Sequence, residues 1–203
     1  MSKLNKQDSL RAIYGHPKGR AVSKQMDKLD RHSRRFIELS PFIVMATSHP
    51  NGLADASPKG DLPGFVRVLD DYNIAIPDRP GNNRLDTMEN LLANPAIGLI
   101  FFIPGVNETL RINGTVEIRD DADLMKRFEV DSKLPKTIFV VSVKEVYLHC
   151  AKALMRSNLW SLDAQAPKRP IPTIAQMIKE QSGDDGPIES QADMEAKYKK
   201  ELY

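Results

Sequence analysis

The clearest alternation of apolar and polar residues extends from Thr109 to Arg119. Apolar residues at positions 110, 112, 116 and 118 fall on one side of an extended segment, and polar residues fall on the other. This period of two predicts an antiparallel strand with one buried face. Gly114 interrupts the apolar side and indicates a bulge or tight bend, which small barrels need.

Shorter strand-like segments surround this one, and turn signals separate them. They cover residues 42–46, 53–57, 64–69, 72–76, 96–103, 137–143 and 145–148. Asn51-Gly52 is a strong signal for a tight hairpin turn, and the continuous apolar run 42–46 suits a strand buried on both faces. About six or seven strands, mostly connected as hairpins, favour a mainly β fold. We therefore predict a small antiparallel β-barrel with peripheral helices.

Helical spacing predicts several helices around these strands. One covers 21–39 and stops at Ser40-Pro41. Another covers 85–92, with Leu85, Met88, Leu91 and Leu92 as its buried face. Asn82 or Asn83 is the predicted cap of this helix, and Asn94-Pro95 its end. Asp120 or Asp121 caps a short helix with residues 124, 125 and 128 inward, and further helices cover about 151–160 and 173–181.

These elements divide the chain into three regions. Residues 1–40 form an N-terminal extension and helix, and residues 41–160 form the barrel domain. Residues 161–203 hold a stiff linker with Pro167, Pro170 and Pro172, then a C-terminal helix and a polar, mobile tail from Gly183.

Composition excludes several classes of protein. With 29 basic and 27 acidic residues, the charge balance gives no case for nucleic-acid binding. The single cysteine, Cys150, excludes an internal disulfide and fits a reducing compartment, and we expect it to be a small buried residue. The four histidines are scattered, so no metal site is expected. With no apolar leader and no apolar run long enough to span a bilayer, we expect a cytoplasmic protein without a membrane partner.

Two segments at strand ends could hold an anion. ADASPKGD, residues 54–61, ends a strand with a hydroxyl, an ammonium group and free backbone N–H groups. IAIPDRPGNNRLDTMENLLANP, residues 74–95, brings Arg79 and Arg84 to a helix entrance, where unpaired N–H groups attract anions. The alternatives are a solvated strand end and a simple helix cap. Both segments would end neighbouring strands, so they could converge on one ligand.

A third segment, HCAKALMRSNLW at 149–160, contains the one tryptophan of the chain. Lys152 and Arg156 are four residues apart on one helical face, and this pair repels itself unless an anion is near. Trp160 could cover the edge of an aromatic cofactor, or it could simply anchor a surface helix to the core. His149 and Cys150 point to opposite faces of a strand, so no nucleophilic triad is supported. No glycine-rich nucleotide motif lies between a strand and a helix.

Four blocks in this order resemble the pyridoxamine 5'-phosphate oxidase-like flavoproteins with the FMN-binding split barrel, and in particular their bacterial subfamily of FMN-dependent enzymes. The blocks begin at LDRHSRRFIELSPFIVMATSHPNGLADASPKGDLPGFV and continue through IPDRPGNNRLDTMENLLANPAIGLIFFIPG and ETLRINGTVEI to HCAKALMRSNLW. They cover residues 29–160. The resemblance implies an FMN-binding split β-barrel and a homodimer with FMN at the subunit interface.

The resemblance also implies site residues. The basic residue that the oxidases direct at the FMN phosphate falls in ASPKGD, where Ser57 stands in place of an arginine, and their phosphate-binding cluster falls on the helix entrance. A partner subunit would close the site with the segment around Trp160. The implied cofactor-binding residues are Asp55, Ser57, Pro58, Lys59, Gly60, Arg79, Asn82, Asn83, Arg84, Arg111, Lys152, Arg156, Ser157 and Trp160.

The implied function is an FMN-dependent oxidoreductase that acts on a small molecule, with NAD(P)H as a candidate electron donor. The flavin would do the chemistry, so no catalytic side chain is assigned. The substrate-binding elements of true pyridoxamine phosphate oxidases are not recognisable after Trp160, which argues against vitamin B6 oxidation. The alternatives are a non-catalytic flavin-binding or storage protein, a binder of F420 or haem, and a structural barrel with a vestigial pocket.

Overall fold

The computed structural model describes residues 3–166, 169–183 and 185–203. Within these ranges the chain forms seven strands: β1 (Phe42–Ser48), β2 (Ala54–Gly60), β3 (Arg67–Val68), β4 (Asn73–Pro77), β5 (Ala96–Phe102), β6 (Thr109–Arg119) and β7 (Ile138–His149). The α-helices are α1 (Gln7–Tyr14), α2 (Arg20–Ser23), α3 (Arg31–Leu39), α4 (Asp86–Ala93), α5 (Ala122–Lys126), α6 (Lys152–Ser157), α7 (Ile174–Ser182) and α8 (Gln191–Glu201). A short 3-10 helix covers Leu162–Ala164.

All seven strands belong to one antiparallel sheet in the order β2-β1-β5-β6-β7-β4-β3. The sheet curls so that β2, at one edge, approaches β4, the second strand from the other edge. Lys59 at the end of β2 forms an ion pair with Asp78, just after β4, at 3.1 Å between Nζ and Oδ1. This approach is through side chains, since β2 pairs only with β1 in the sheet order. The predicted mainly β, antiparallel split-barrel fold with peripheral helices is confirmed.

The bulge predicted at Gly114 is present. The β6–β7 register pairs Asn113 with Glu145 and then Gly114 with Val143, so it skips Lys144. A Cβ on Gly114 would lie 2.1 Å from the carbonyl oxygen of Ser142. Only a residue without a side chain allows the two longest strands to approach this closely.

The core lies on the concave side of the sheet. Alternate residues of β1, β5, β6 and β7 are buried there, together with Phe36 and Ile37 of α3. Ser40 ends α3, as predicted, and its fully buried hydroxyl shares its one proton between the carbonyl oxygens of Phe42 and Phe102, at 2.9 and 2.7 Å. This bond pair fixes the end of the helix across two neighbouring strands.

The convex side of β1 and β5 remains partly open, so β1 is not buried on both faces as its sequence predicts. Val44 lies between Pro58 of β2 and Ile100 of β5. Phe42 contacts Phe102, with 6.0 Å between ring centroids, and is 40% exposed. Part of the apolar surface of this sheet face is therefore exposed to solvent in the described parts of the chain.

The continuous helix predicted over 21–39 is wrong. Between α2 and α3, Met26 forms a β-bridge with Val146, with backbone hydrogen bonds of 3.0 and 2.8 Å. Asp30 then starts α3 with a capping box, accepting from the backbone N–H of Ser33. Pairing with β7 and a strong cap therefore override the helical spacing of the apolar residues.

The prediction for α4 is also corrected. Its N-cap position is Leu85 rather than Asn82 or Asn83. Of its predicted buried face, Leu91 is buried and Met88 packs partly buried against the core, whereas Leu85 and Leu92 are 48% and 80% exposed. The predicted end at Asn94-Pro95 is confirmed. The helix also buries Thr87 and Asn90, which form the polar hydrogen bonds to the sheet described below.

The termini hold more helix than the sequence predicts. The polar tail from Gly183 contains α8, and Met194 within it is buried. The predicted helix near 173–181 is confirmed as α7, and α1 lies in the N-terminal extension. Cys150 is exposed rather than buried. Pro167 of the predicted linker lies outside the described residues.

Candidate functional site

A cleft of about 1140 Å³ opens at the split of the barrel. Its walls come from the end of β2, the loop between β4 and α4, and the C-terminal segment. The side chains that line it are Ser57, Pro58, Lys59, Asp61, Leu62, Asp78, Arg79, Pro80, Asn82, Asn83, Arg84, Leu85, Thr87, Met88, Lys136, Phe139, Tyr198, Glu201, Leu202 and Tyr203, with Gly60 and Gly81. The two anion-binding segments of the sequence prediction do converge on this cleft.

A hydroxyl and carboxylate cluster joins α4 to β2 at one wall. The Thr87 hydroxyl lies 2.9 Å from Asp55 Oδ2 and 2.9 Å from the Ser57 hydroxyl. One turn later, the amide of the buried Asn90 donates to Thr47 of β1 at 3.0 Å. Thr87 has no signature in the periodicity of the sequence, and so it was not among the predicted site residues. Its role follows only from the packing of α4 on the sheet.

Replacing Thr87 by valine keeps the shape of the side chain and removes its hydroxyl. Asp55 and Ser57 then lose a buried hydrogen-bonding partner, so we expect a loss of about 1–2 kcal/mol in the free energy of unfolding. Urea unfolding checks this value. Thr115→Val, on the exposed side of β6, is the control and should change stability by less than about 0.5 kcal/mol. An unchanged Thr87→Val midpoint would contradict the role of the cluster.

Two predicted anion-binding cations already have carboxylate partners. Lys59 pairs with Asp78 and lies 5.7 Å from the centroid of the Phe139 ring. Arg79 Nε donates to Asp61 Oδ2 at 2.8 Å, and its Nη1 donates to the carbonyl of Phe128 at 2.9 Å. These pairs join the end of β2 and the residue after it to the loop that follows β4. They also leave the two cations less free to bind an anion than the sequence suggests.

The loop before α4 is shaped by its asparagines. Asn82 accepts a hydrogen bond from the backbone N–H of Arg84 at 3.0 Å, which forms a turn two residues long. Asn83 has a φ of 58°, in the left-handed region that asparagine tolerates. Among the described residues, the exposed Arg84 guanidinium bonds only to Asp86, at 2.9 Å, and this contact raises the pKa of Arg84. Arg84 is therefore the lining arginine that is most accessible to solvent.

The other predicted site residues do not line the cleft of the same chain. Arg111 lies on the convex side of β6, over the Tyr147 ring at 5.5 Å, and its buried Nε has no hydrogen-bond partner among the described residues. Lys152, Arg156 and Ser157 lie on α6. Trp160 follows and donates from Nε1 to the carbonyl of Val106 at 2.9 Å.

Neither a membrane-spanning helix nor a metal site is present in the described parts of the chain. None of their helices is both long enough and apolar enough to cross a membrane. No group of three or more histidine, cysteine or acidic side chains is arranged there to hold a metal ion.

An antiparallel sheet that curls into an open barrel, with a polar cleft at its split, defines a split-barrel fold. The chain belongs to the pyridoxamine 5'-phosphate oxidase family, whose family model matches residues 29–150. Members of this family are typically dimeric and commonly bind flavins. This match confirms the predicted family. No curated protein matches the sequence.

The solved structures that are similar to this chain are distant in sequence. HupZ of Group A Streptococcus is 18% identical, with 59% of this chain and 93% of that chain covered and a TM-score of 0.49. General stress protein 26 of Bacillus anthracis is 12% identical over 58% and 93%, with a TM-score of 0.43. An F420 reductase is 17% identical over 60% and 98%, with a TM-score of 0.42. At this level of likeness they assign neither cofactor nor reaction to this chain.

Proposed function

We propose that this protein binds FMN and acts as an FMN-dependent oxidoreductase on a small molecule, with NAD(P)H as a candidate electron donor. The observation that carries the proposal is the convergence of the β2 end and the loop before α4 on one cleft. Its volume suits a cofactor of this size. The exposed, unpaired thiol of Cys150 supports a reducing, cytoplasmic location.

The donors of the cleft fit a phosphate group. Ser57 offers a hydroxyl, Asn82 and Asn83 offer side-chain amides, and Arg84 offers a mobile guanidinium. Four cations line the walls, and two of them, Lys59 and Arg79, are paired with aspartates, so Arg84 and Lys136 are the lining cations that a phosphate would meet. Phosphate oxygens can replace Asp86 as the partner of Arg84, because an exposed ion pair is held weakly in water.

A homodimer would complete the site. The open apolar face of β1 and β5 supports pairing with a second copy, which would bury Val44 and Ile100. Arg111 lies on this same convex side, and its unpartnered Nε would gain an acceptor from the partner subunit or the cofactor. Lys152, Arg156, Ser157 and Trp160 lie outside the cleft of their own chain, which fits a role in closing the partner's cleft.

When bound, FMN supplies hydride or electron transfer through its ring. The residues of this chain would bind the phosphate, orient the ring and limit access of water. No side chain needs to act as a general base, so the cofactor-binding residues are the functional ones. The substrate would be a small molecule that reaches the ring beside the cleft.

The absorbance spectrum of the purified protein tests the proposal. Bound flavin gives an absorbance band at about 450 nm. If the protein is an oxidoreductase, adding NAD(P)H under anaerobic conditions should bleach this band. Flavin bound at one per chain without reduction would instead indicate a storage protein. Titration of the cofactor-free protein with FMN, F420 and haem separates the related cofactors. A protein that binds none of the three would refute the proposal and leave a structural barrel.

Replacing Arg84 by glutamine is expected to weaken FMN binding about tenfold, because a charged hydrogen bond to the phosphate is lost. Fluorescence titration of the cofactor-free protein measures the Kd. Arg119→Gln is a matched control. Arg119 is also exposed and also pairs with an aspartate two residues later, Asp121, at 2.6 Å. Equal losses in the two variants would contradict a phosphate role for Arg84.

A further inference from the structure

The C-terminal segment reaches back across the molecule to the cleft. Tyr198, Glu201, Leu202 and Tyr203 line the cavity opposite the loop that holds Asn82 to Arg84. The segment is continuous with α8, in which Met194 is buried. Ser190 caps the start of α8, and its hydroxyl accepts a hydrogen bond from the backbone N–H of Asp193 at 3.1 Å. One wall of the cleft is therefore built from residues that lie far from the other lining residues in sequence.

Tyr203 fixes this wall through contacts with the barrel. Its hydroxyl donates to Asp61 Oδ1 at 2.5 Å, and its ring lies 5.2 Å from the Arg79 guanidinium. Lys133 donates to the main-chain oxygen of Tyr203 at 2.5 Å. Three different parts of the barrel thus hold one residue at the rim of the cleft.

The platform beneath Tyr203 is rigid. The Asp61 side chain is only 4% exposed and also accepts from the backbone N–H of Leu62 at 2.7 Å. Arg79 is held between Asp61 and the carbonyl of Phe128. A buried carboxylate is costly unless its acceptor sites are filled, so the phenol of Tyr203 completes this set. The bond to Asp61 also raises the pKa of Tyr203, as expected for a phenol that donates to a carboxylate.

The rest of the segment is held more loosely. Tyr198 and Leu202 are 51% and 58% exposed, although both line the cavity. A segment with few buried side chains and one strong terminal contact opens locally at low cost in free energy. The contact of Tyr203 with Asp61 and Arg79 then decides how often it opens.

We propose that residues 198–203 are a wall of the cleft latched by Tyr203, and that release of this latch controls the entry and exit of a phosphate-bearing ligand. The ligand is FMN if the function proposed above holds, and in that respect the inference rests on it. The wall also limits the length of any molecule that binds between it and Arg84. Arg79 acts as a positioning residue for the latch, through Asp61 and the Tyr203 ring.

A thiol placed in the cleft tests the latch without any cofactor. In a Cys150→Ser background, Ser57→Cys carries one half-buried thiol that lines the cavity, and a maleimide dye reports its accessibility. Adding Tyr203→Ala should raise the labelling rate about tenfold. Tyr203→Phe, which keeps the ring over Arg79, should raise it less. Tyr72→Ala, at an exposed turn residue, is the control and should leave the rate unchanged.

The rate at which FMN leaves the loaded full-length protein is the second measurement. Tyr203→Ala should accelerate dissociation about tenfold, in parallel with the labelling rate. Unchanged labelling in both Tyr203 variants would overturn the latch. Faster labelling with unchanged FMN dissociation would overturn its control of ligand exchange. If wild-type protein binds no FMN, the proposed function fails, while the labelling rates still decide whether the wall gates the cleft.

Discussion

Replacing Gly114 by alanine is expected to destabilise the barrel more than a glycine-to-alanine substitution at any other glycine of the sheet. The new Cβ would lie 2.1 Å from the Ser142 carbonyl oxygen and 3.4 Å from a methyl group of Val141. Real contacts of Cβ with oxygen are never this short, so β6 and β7 must separate at the bulge. Both strands are central, and their movement would disturb hydrogen bonds on either side.

We expect a loss of roughly 3 kcal/mol in the free energy of unfolding, at the upper end for overpacking, and a fall of about 6–12 °C in Tm. Thermal unfolding of the cofactor-free protein measures both. Gly81→Ala is the control, because a Cβ there meets nothing within 4 Å. A Gly114→Ala protein as stable as the control would mean that the bulge relaxes freely.

Replacing Ile100 by lysine is expected to convert the proposed dimer into a monomer. Ile100 lies beside Val44 on the convex face of the sheet, next to Arg111 of β6. In a dimer that buries this face, the new ammonium group would be desolvated without a partner and near another cation. A cost of about 3 kcal/mol weakens the dimer roughly a hundredfold.

Sedimentation at several protein concentrations measures this change. Leu92→Lys is the matched control, since Leu92 is 80% exposed on α4, which packs on the concave side. If FMN lies at the interface, the monomeric Ile100→Lys protein should also lose its flavin. A wild-type protein that is monomeric with FMN bound would refute the dimer, and an Ile100→Lys dimer would place the interface elsewhere.

The sequence predicts those parts of the fold that depend on local signals. Gly114 stands out because it breaks a strict alternation, and Asn51-Gly52 marks a hairpin by its turn chemistry alone. The same reasoning fails in part at α4, where Thr87 and Asn90 are also buried and form polar contacts with the sheet. Such contacts carry no periodic signature, so only the packed structure reveals which face is buried.

The cleft is predictable only in part, for a similar reason. Loop composition indicates Arg84 and the two asparagines, because helix entrances and turns favour these residue types. The pairing of Lys59 with Asp78 and of Tyr203 with Asp61 depends on chain segments far apart in sequence. No local pattern contains that information. The domain boundaries and the assignment of individual residues to FMN stay predictions.

The position of Trp160 makes it an optical reporter. The chain contains one tryptophan, so its intrinsic indole emission comes from a single known place. Its Nε1 is bonded to the Val106 carbonyl, which ties that emission to the turn between β5 and β6. A flavin bound within reach would quench it by energy transfer. The fluorescence of the unlabelled protein can therefore follow the approach of a cofactor to this end of the barrel in real time.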